Sequence, residues 1–267
     1  MEKKKIKILG FNLWEILFYF IIYSIAGYLI ETSFALIRYG VLESRQSFLY
    51  GPFCSIYGVG AVIMVLFLQY FQKNGFTLFV GGFFIGSITE YLVSLIGELI
   101  LHVKWWDYSN MPLNINGRIC FYYSVFWGVL AIFLMRVIQP RVKKILDYVL
   151  AKFSPALTKT IISVLTVFMA FDCILSAYAI QQFLVRMVSE NNLNVANKEI
   201  INKYYNEISN DELKSKLINK FFSNKTMIKT YPNLKIQQLD GSMVYMKDLH
   251  PEIKPYYYKF SDTDFQK

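Results

Sequence analysis

The sequence predicts an all-α integral membrane protein of about five transmembrane helices with a small α+β appendage at its C-terminus. Three observations predict it. Of 267 residues, 55% are hydrophobic, 18% aromatic and only 18% charged, against about 25% charged in ordinary soluble domains. The apolar residues gather into runs about as long as the roughly 20-residue helix that crosses about 30 Å of hydrocarbon. Glu31, Glu90, Glu98 and Asp172 fall well inside those runs, where a carboxylate costs about 2.5 kcal/mol or more unless it faces a bundle interior or a wet cavity.

The elements follow in chain order. Residues 1–12 form a basic head with Lys3, Lys4, Lys5 and Lys7. The membrane domain, residues 13–184, contains five nearly uncharged stretches: Leu13–Ile37, Ile56–Phe71, Phe76–Leu101, Ile119–Ile138 and Ile161–Leu184. Each must be helical, because a backbone in lipid has to satisfy its own hydrogen bonds. The second is short for a crossing unless its helix starts near Pro52. The first is not a cleaved signal peptide, although Ser24-Ile25-Ala26 has the right small residues, since the apolar run continues past that triplet.

Positive charge is retained on the cytoplasmic side. Lysines precede the first span, and Arg141, Lys143, Lys144, Lys152 and Lys159 lie between the fourth and fifth. The alternate connections carry fewer basic residues: Arg38 and Arg45, then Lys104 and Arg118. The expected protein is therefore a multi-pass protein of the cell membrane with a cytoplasmic N-terminus and, with five spans, an extracytoplasmic tail from residue 185 to residue 267. A re-entrant second segment would reverse the tail. The net charge of +9 reflects these flanking lysines, which suit an anionic leaflet, and nucleic acid is not an expected partner.

The tail divides further. Ser209-Asn210-Asp211-Glu212 is a helix start before Leu213, Leu217, Ile218 and Phe221. Leu234-Lys235-Ile236 and Met243-Val244-Tyr245-Met246 flank Asp240-Gly241 as a small hairpin. Tyr256, Tyr257 and Tyr258 suit the headgroup level.

Several chemistries are missing from the chain. It has no G-x-x-x-x-G-K-[ST] loop, so it is not the ATP-hydrolysing half of a pump. His102 and His250 are the only histidines, and Cys54, Cys120 and Cys173 lack metal-ligand spacing. No Ser-His-Asp or Cys-His arrangement is legible, and neither an enzyme nor a bound cofactor or metal is expected. Cys54 and Cys120 lie near the outer ends of their spans, where free buried thiols are expected over a disulfide.

The third span carries the clearest pattern. Gly82, Gly86, Glu90, Ser94 and Glu98 recur every four residues, with Ser87 and Gly97 at the i+3 alternatives. One side of that helix is small and polar, and it must face protein. Gly82 and Gly86 form a G-x-x-x-G pair for close helix packing. Two readings stay open: a packing stripe with polar glue, or a ligand or ion path along Glu90 and Glu98. In the first span Ser24, Gly27, Glu31 and Arg38 share a face, and Glu31 has Arg38, Arg45 or Arg118 as potential ion partners. Asp172 has no basic residue of its own span within two turns, so its partner should come from another helix, or it is protonated.

Two loop segments complete the constellation. Arg45-Gln46-Ser47-Phe48-Leu49-Tyr50-Gly51-Pro52-Phe53-Cys54-Ser55-Ile56-Tyr57-Gly58 continues to Gly60. Trp105-Trp106-Asp107-Tyr108-Ser109 is followed by Pro112, Asn114, Asn116-Gly117-Arg118-Ile119-Cys120 and Trp127-Gly128. Gly51-Pro52 sets a turn, and the tryptophans suit a half-wet interface. These motifs resemble the bacterial membrane family named putative ABC transporter type IV, or CmpB-like, over about Leu13 to Ile138, with a weaker echo at Tyr231-Pro232-Asn233-Leu234. Ser55 departs from the family pattern, which usually has Pro there. The family name implies a permease.

The combined expectation is a permease-like protein that handles a small solute or ion in an outward-opening pocket. The pocket residues are Glu31, Arg45, Tyr57, Glu90, Ser94, Glu98, Trp106, Asp107, Tyr108, Asn116 and Arg118. The alternative is a membrane sensor or assembly scaffold whose buried charges are structural. Partners in the first case are the lipid bilayer, the solute, and a separate ATPase subunit or further copies of the chain.

Overall fold

The protein was analysed as a computed structural model that describes residues 7–101 and 106–260, without the side chains of 100 and 101. Lys3, Lys4, Lys5, His102, Lys104 and Trp105 lie outside the described residues. The chain is mostly helical, with nine α-helices among the described residues. In order these are α1 (Leu13–Tyr39), α2 (Ser55–Leu68), α3 (Gly75–Leu101), α4 (Phe121–Phe133), α5 (Gln139–Lys152), α6 (Pro155–Glu190), α7 (Lys198–Asn210), α8 (Glu212–Phe221) and α9 (Asn224–Thr230).

Among the described residues four helical stretches are long and apolar enough to cross a membrane: Leu13–Tyr39, Gly75–Leu99, Phe121–Lys152 and Pro155–Glu190. The second apolar segment forms a shorter helix, Ser55–Phe71, whose α-helical and 3₁₀ parts together reach about 27 Å, just under the hydrocarbon thickness. Phe121–Lys152 is continuous because a π-helical segment, Leu134–Ile138, joins α4 to α5. Pro140 at the start of α5 cannot donate to the preceding turn, and the wider π turn absorbs that missing bond.

The helix α3 is turned inside out relative to a soluble helix. Gly82, Gly86, Ser87, Glu90, Ser94 and Gly97 are buried, while Phe84, Ile88, Leu92, Ile96 and Leu99 are exposed. Apolar exposure on one side and polar burial on the other is the arrangement lipid demands of a helix that packs against neighbours through small and polar residues.

The chain forms two compact units: the first holds 7–27, 52–99 and 106–170, and the second holds 28–51, 100–101 and 171–260. In the first, β1 (Lys7–Ile8) and β2 (Phe11–Asn12) form a minimal hairpin leading into α1, and β4 (Asn114–Ile115) pairs with β5 (Ile119–Cys120). Ser24 and Gly58 touch where α1 meets α2, and the Cys54 N–H donates to the Ser24 carbonyl at 2.8 Å. Cys54 and Cys120 are buried free thiols.

Helix α6 is about 54 Å long, far more than a crossing needs, and in the second unit, which holds it from residue 171 on, the tail coats its last turns. Ala179, Phe183 and Met187 are fully buried with Leu49, Ile218, Met227, Ile228 and Met246. The small tail thus packs onto these turns of α6 and shares one core with them. Asp211 caps α8 by accepting from the Lys214 N–H at 3.0 Å, as the Ser209–Glu212 signal predicts. Strands β6 (Lys235–Gln237) and β7 (Met243–Tyr245) form the hairpin around Asp240-Gly241, with Gly241 at φ +85°. Tyr256–Lys259 is strand β8, paired antiparallel with β3 (Val41–Glu43), as suits three consecutive aromatics with high strand propensity.

Candidate functional site

The first unit builds its polar centre around Glu90, midway along α3. The Glu90 side chain is buried, and each carboxylate oxygen takes one donor: Tyr108 Oη at 3.0 Å on Oε1 and Trp127 Nε1 at 2.9 Å on Oε2. Both donors are neutral. Among the described residues no lysine or arginine pairs with it. Tyr108 is held in turn by stacking on Tyr123, with ring centroids 4.6 Å apart. Burial, followed by the adjacent Glu90 charge, pushes the Tyr108 phenol well above its ordinary range, so it serves as an O–H donor at any physiological pH.

Close helix approach brings Trp127 to Glu90. A Cβ on Gly82 would overlap Ala131 and come within 2.9 Å of the Trp127 carbonyl, and one on Gly86 would lie 2.6 Å from Trp127 Cβ and Cγ. Gly128 gives reciprocal room to Phe79. Ser87 and Ser124 then hydrogen-bond across the same seam at 2.7 Å. Glycine is needed at 82 and 86 because α4 occupies the space of a side chain, with the Ala131 Cβ and the Trp127 carbonyl at Gly82 and the root of the Trp127 side chain at Gly86.

One side of the site is closed by the loop after α3. Asn116 and Gly117 both have positive φ, +54° and +65°, the type I′ signature of an Asn-Gly pair, and the Arg118 N–H closes the turn on the Ile115 carbonyl at 3.0 Å. A Cβ at Gly117 would also lie 2.6 Å from Asp107 Oδ1. That turn presents Arg118, which forms an ion pair with Glu98 at 2.5 Å and lies 5.7 Å from the centre of the Tyr91 ring. Trp106 Nε1 donates to the Arg118 carbonyl at 2.9 Å, and Asn116 donates to Tyr91 Oη at 2.9 Å. Asp107 folds back to accept from the Ser109 N–H and hydroxyl.

Of the residues predicted from sequence, Glu90, Glu98, Trp106, Tyr108, Asn116 and Arg118 thus belong to one connected set of contacts on α3 and its loop. Ser94 is buried on the same face of α3. Tyr57 sits on the first turn of α2, its ring against Gly27 of α1. Glu31 and Arg45 belong to the second unit, where Arg45 pairs with Glu43 at 2.6 Å. Arg118 therefore has Glu98 as its acid, and Arg45 has Glu43, where the sequence offered Glu31 or Asp107.

Asp172 has a local explanation in that second unit. It is fully buried and accepts from the Tyr50 N–H at 3.0 Å and from the Ser176 hydroxyl at 3.3 Å, while Ser176 itself accepts from the Leu49 N–H at 2.6 Å. Its partner is the backbone of the segment before Gly51, not a helix. Asn233 donates to Glu43 at 3.2 Å, and burial pushes the Tyr231 phenol up, so the Tyr231–Leu234 motif closes on the same segment that carries Arg45.

Tyr91, Tyr123 and Trp127 were missed as site residues. Trp127 carried a signal: an indole N–H in an apolar helix must find an acceptor, and its neighbour Gly128 marks a close approach. An apolar cleft of about 370 Å³ on the same helices is lined by Phe84, Ile88, Leu113, Phe121 and their neighbours, and Glu90 is not part of its wall.

Residues 18–177, more than half of the chain, match the family described as putative ABC-transporter type IV. Neither a curated protein nor a solved structure matches the chain.

Proposed function

The chain belongs to the putative ABC-transporter type IV family, and from that premise we propose that it is the permease-type subunit of a transport system and handles a small solute or ion at Glu90. The apolar helices fit a membrane protein. One observation carries the finer reading: Glu90 is buried at mid-span with two neutral donors and, among the described residues, no cation. A carboxylate so placed is left with uncompensated charge, which a proton, a metal cation or a cationic solute would neutralise. Glu98, by contrast, already has Arg118. A separate ATPase subunit is the natural partner, since the chain has no nucleotide-cradling loop of its own. Catalysis of a covalent reaction is not part of this reading.

The substitution Glu90→Gln tests it. Gln can accept from Trp127 Nε1 and donate to Tyr108 Oη, whose hydroxyl can turn round, so both hydrogen bonds survive. The variant should express and unfold within about 1 kcal/mol of the parent, yet lose any shift of melting temperature on titration with protons, Na⁺, K⁺ or Ca²⁺. A response identical to the parent's would exclude Glu90 as the responsive group. The scaffold reading is favoured by the Glu98–Arg118 and Glu43–Arg45 pairs, which neutralise two of the charges structurally. It predicts no such response in the parent protein.

Orientation follows from the same charge rule. If both the N-terminal lysines and the basic α5 face the cytoplasm, an even number of crossings must separate them, so the short α2 has to cross as well. A reporter fused after Lys267 should then be active outside the cell, and activity in the cytoplasm would remove the five-crossing topology.

A further inference from the structure

The last turns of α6 hold an arginine that the tail buries without an ion pair among the described residues. Arg186 is 7% exposed. Its Nη1 donates to Asn219 Oδ1 at 3.2 Å and its Nη2 to the Phe222 carbonyl at 2.6 Å, while Nε has no partner. Every acceptor it meets is neutral, and among the described residues no carboxylate lies within ion-pair distance of it. Glu190, one turn further along the helix, accepts instead from Tyr205 Oη at 3.0 Å. Arg186 also lines a cavity of about 70 Å³ whose wall includes Gln182, Glu190, Tyr205, Ser209 and Ser215. Since a single water needs about 10–15 Å³, the space admits a small polyatomic group.

A buried guanidinium is unfavourable unless an anion or a full set of acceptors meets it, and here only two of its five N–H groups are used. The planar fork of arginine matches an oxyanion, which can take two parallel hydrogen bonds. We propose that Arg186 and this cavity form a binding site for a small oxyanion, a phosphate or a carboxylate group. The site does not depend on the Glu90 reading. Glu190, on the wall of the same cavity, sets its affinity by repulsion and so keeps binding weak enough to be reversible.

The test is calorimetric titration and thermal melting of the full chain, purified in detergent, with inorganic phosphate and with acetate in separate arms against chloride at equal ionic strength. At least one oxyanion should bind saturably and raise the melting temperature, and the arm that responds identifies the class. The Glu190→Gln variant keeps an acceptor for Tyr205 and should bind about fivefold tighter, because a like charge is removed from the cavity. Arg186→Gln should bind neither probe. The proposal is overturned if neither probe binds the parent or Glu190→Gln, if Glu190→Gln binds no tighter than the parent, or if a folded Arg186→Gln protein binds as the parent does. Should Arg186→Gln fail to fold, the direction of the Glu190→Gln change decides alone.

Discussion

Replacing Gly86 by Leu should destabilise the membrane domain at or above the upper end of the about 1–3 kcal/mol typical of overpacking, and it should disturb the site as well. The new Cβ alone would sit 2.6 Å from Trp127 Cβ, where the obstacle is the root of a side chain and cannot rotate away. The α3–α4 seam must open, and Trp127 Nε1 must leave Glu90, exposing a carboxylate that has only one other donor. Leu92→Ala is the control: Leu92 is 47% exposed on the apolar side of α3, and trimming it should cost about 0.5 kcal/mol or less. Thermal unfolding in detergent reads both, and indole fluorescence reports Trp127. Equal losses for the two variants would mean that the glycine side of α3 is not a close-packed seam.

Asp172→Ala is expected to be nearly as damaging, by a different route. The part-buried Tyr50 N–H would lose its acceptor, at about 1–3 kcal/mol together with the Ser176 hydrogen bond to the same charged group. The consequence should spread along the segment from Ser44 to Tyr50, because Ser176, which holds the Leu49 N–H, also loses its own acceptor. Asp172→Asn keeps an oxygen for Tyr50 and should cost under about 1 kcal/mol. Limited proteolysis between Glu43 and Gly51 is the sharper readout, since that segment should become cleavable in the Ala variant and stay protected in the Asn variant. If both variants are cleaved alike, the carboxylate's charge rather than its hydrogen bonds holds the segment.

These two expectations use different parts of what could be read beforehand. The Gly82, Gly86, Glu90, Ser94, Glu98 stripe is legible because residues four apart share a helix face whatever the helix packs against, and a lipid-facing side must be apolar. The Asp211 cap and the Asp240-Gly241 hairpin are legible because they are local as well: Asp211 meets a backbone N–H three residues on, and the hairpin pairs Gln237 with Met243. The Asn116-Gly117 turn carried an equally local signal, two residues that tolerate positive φ, and was overlooked because it lay within a motif taken whole. The core that the tail shares with α6 is not legible because Ala179 to Leu184, which supply part of it, read in sequence as the end of a membrane span. A helix of 36 residues exceeds the bilayer, and hydropathy alone does not say where its surplus begins.

By itself the sequence determined that this chain is a helical membrane protein, which segments are apolar enough to cross, which side of α3 is polar, and which charges are unusual. Each of these depends on length or on a short periodic spacing along one helix. Only the tertiary structure decided what meets each charge: Trp127 and Tyr108 on Glu90, Arg118 on Glu98, the Tyr50 N–H on Asp172, and Glu43 with Asn233 beside Arg45. Most of these partners are 18 to 190 residues apart in sequence. Electrostatic attraction offers several acids to every arginine, and packing geometry selects one. The glycines show the same division, since a repeat every four residues marks a close approach but leaves open which backbone comes close.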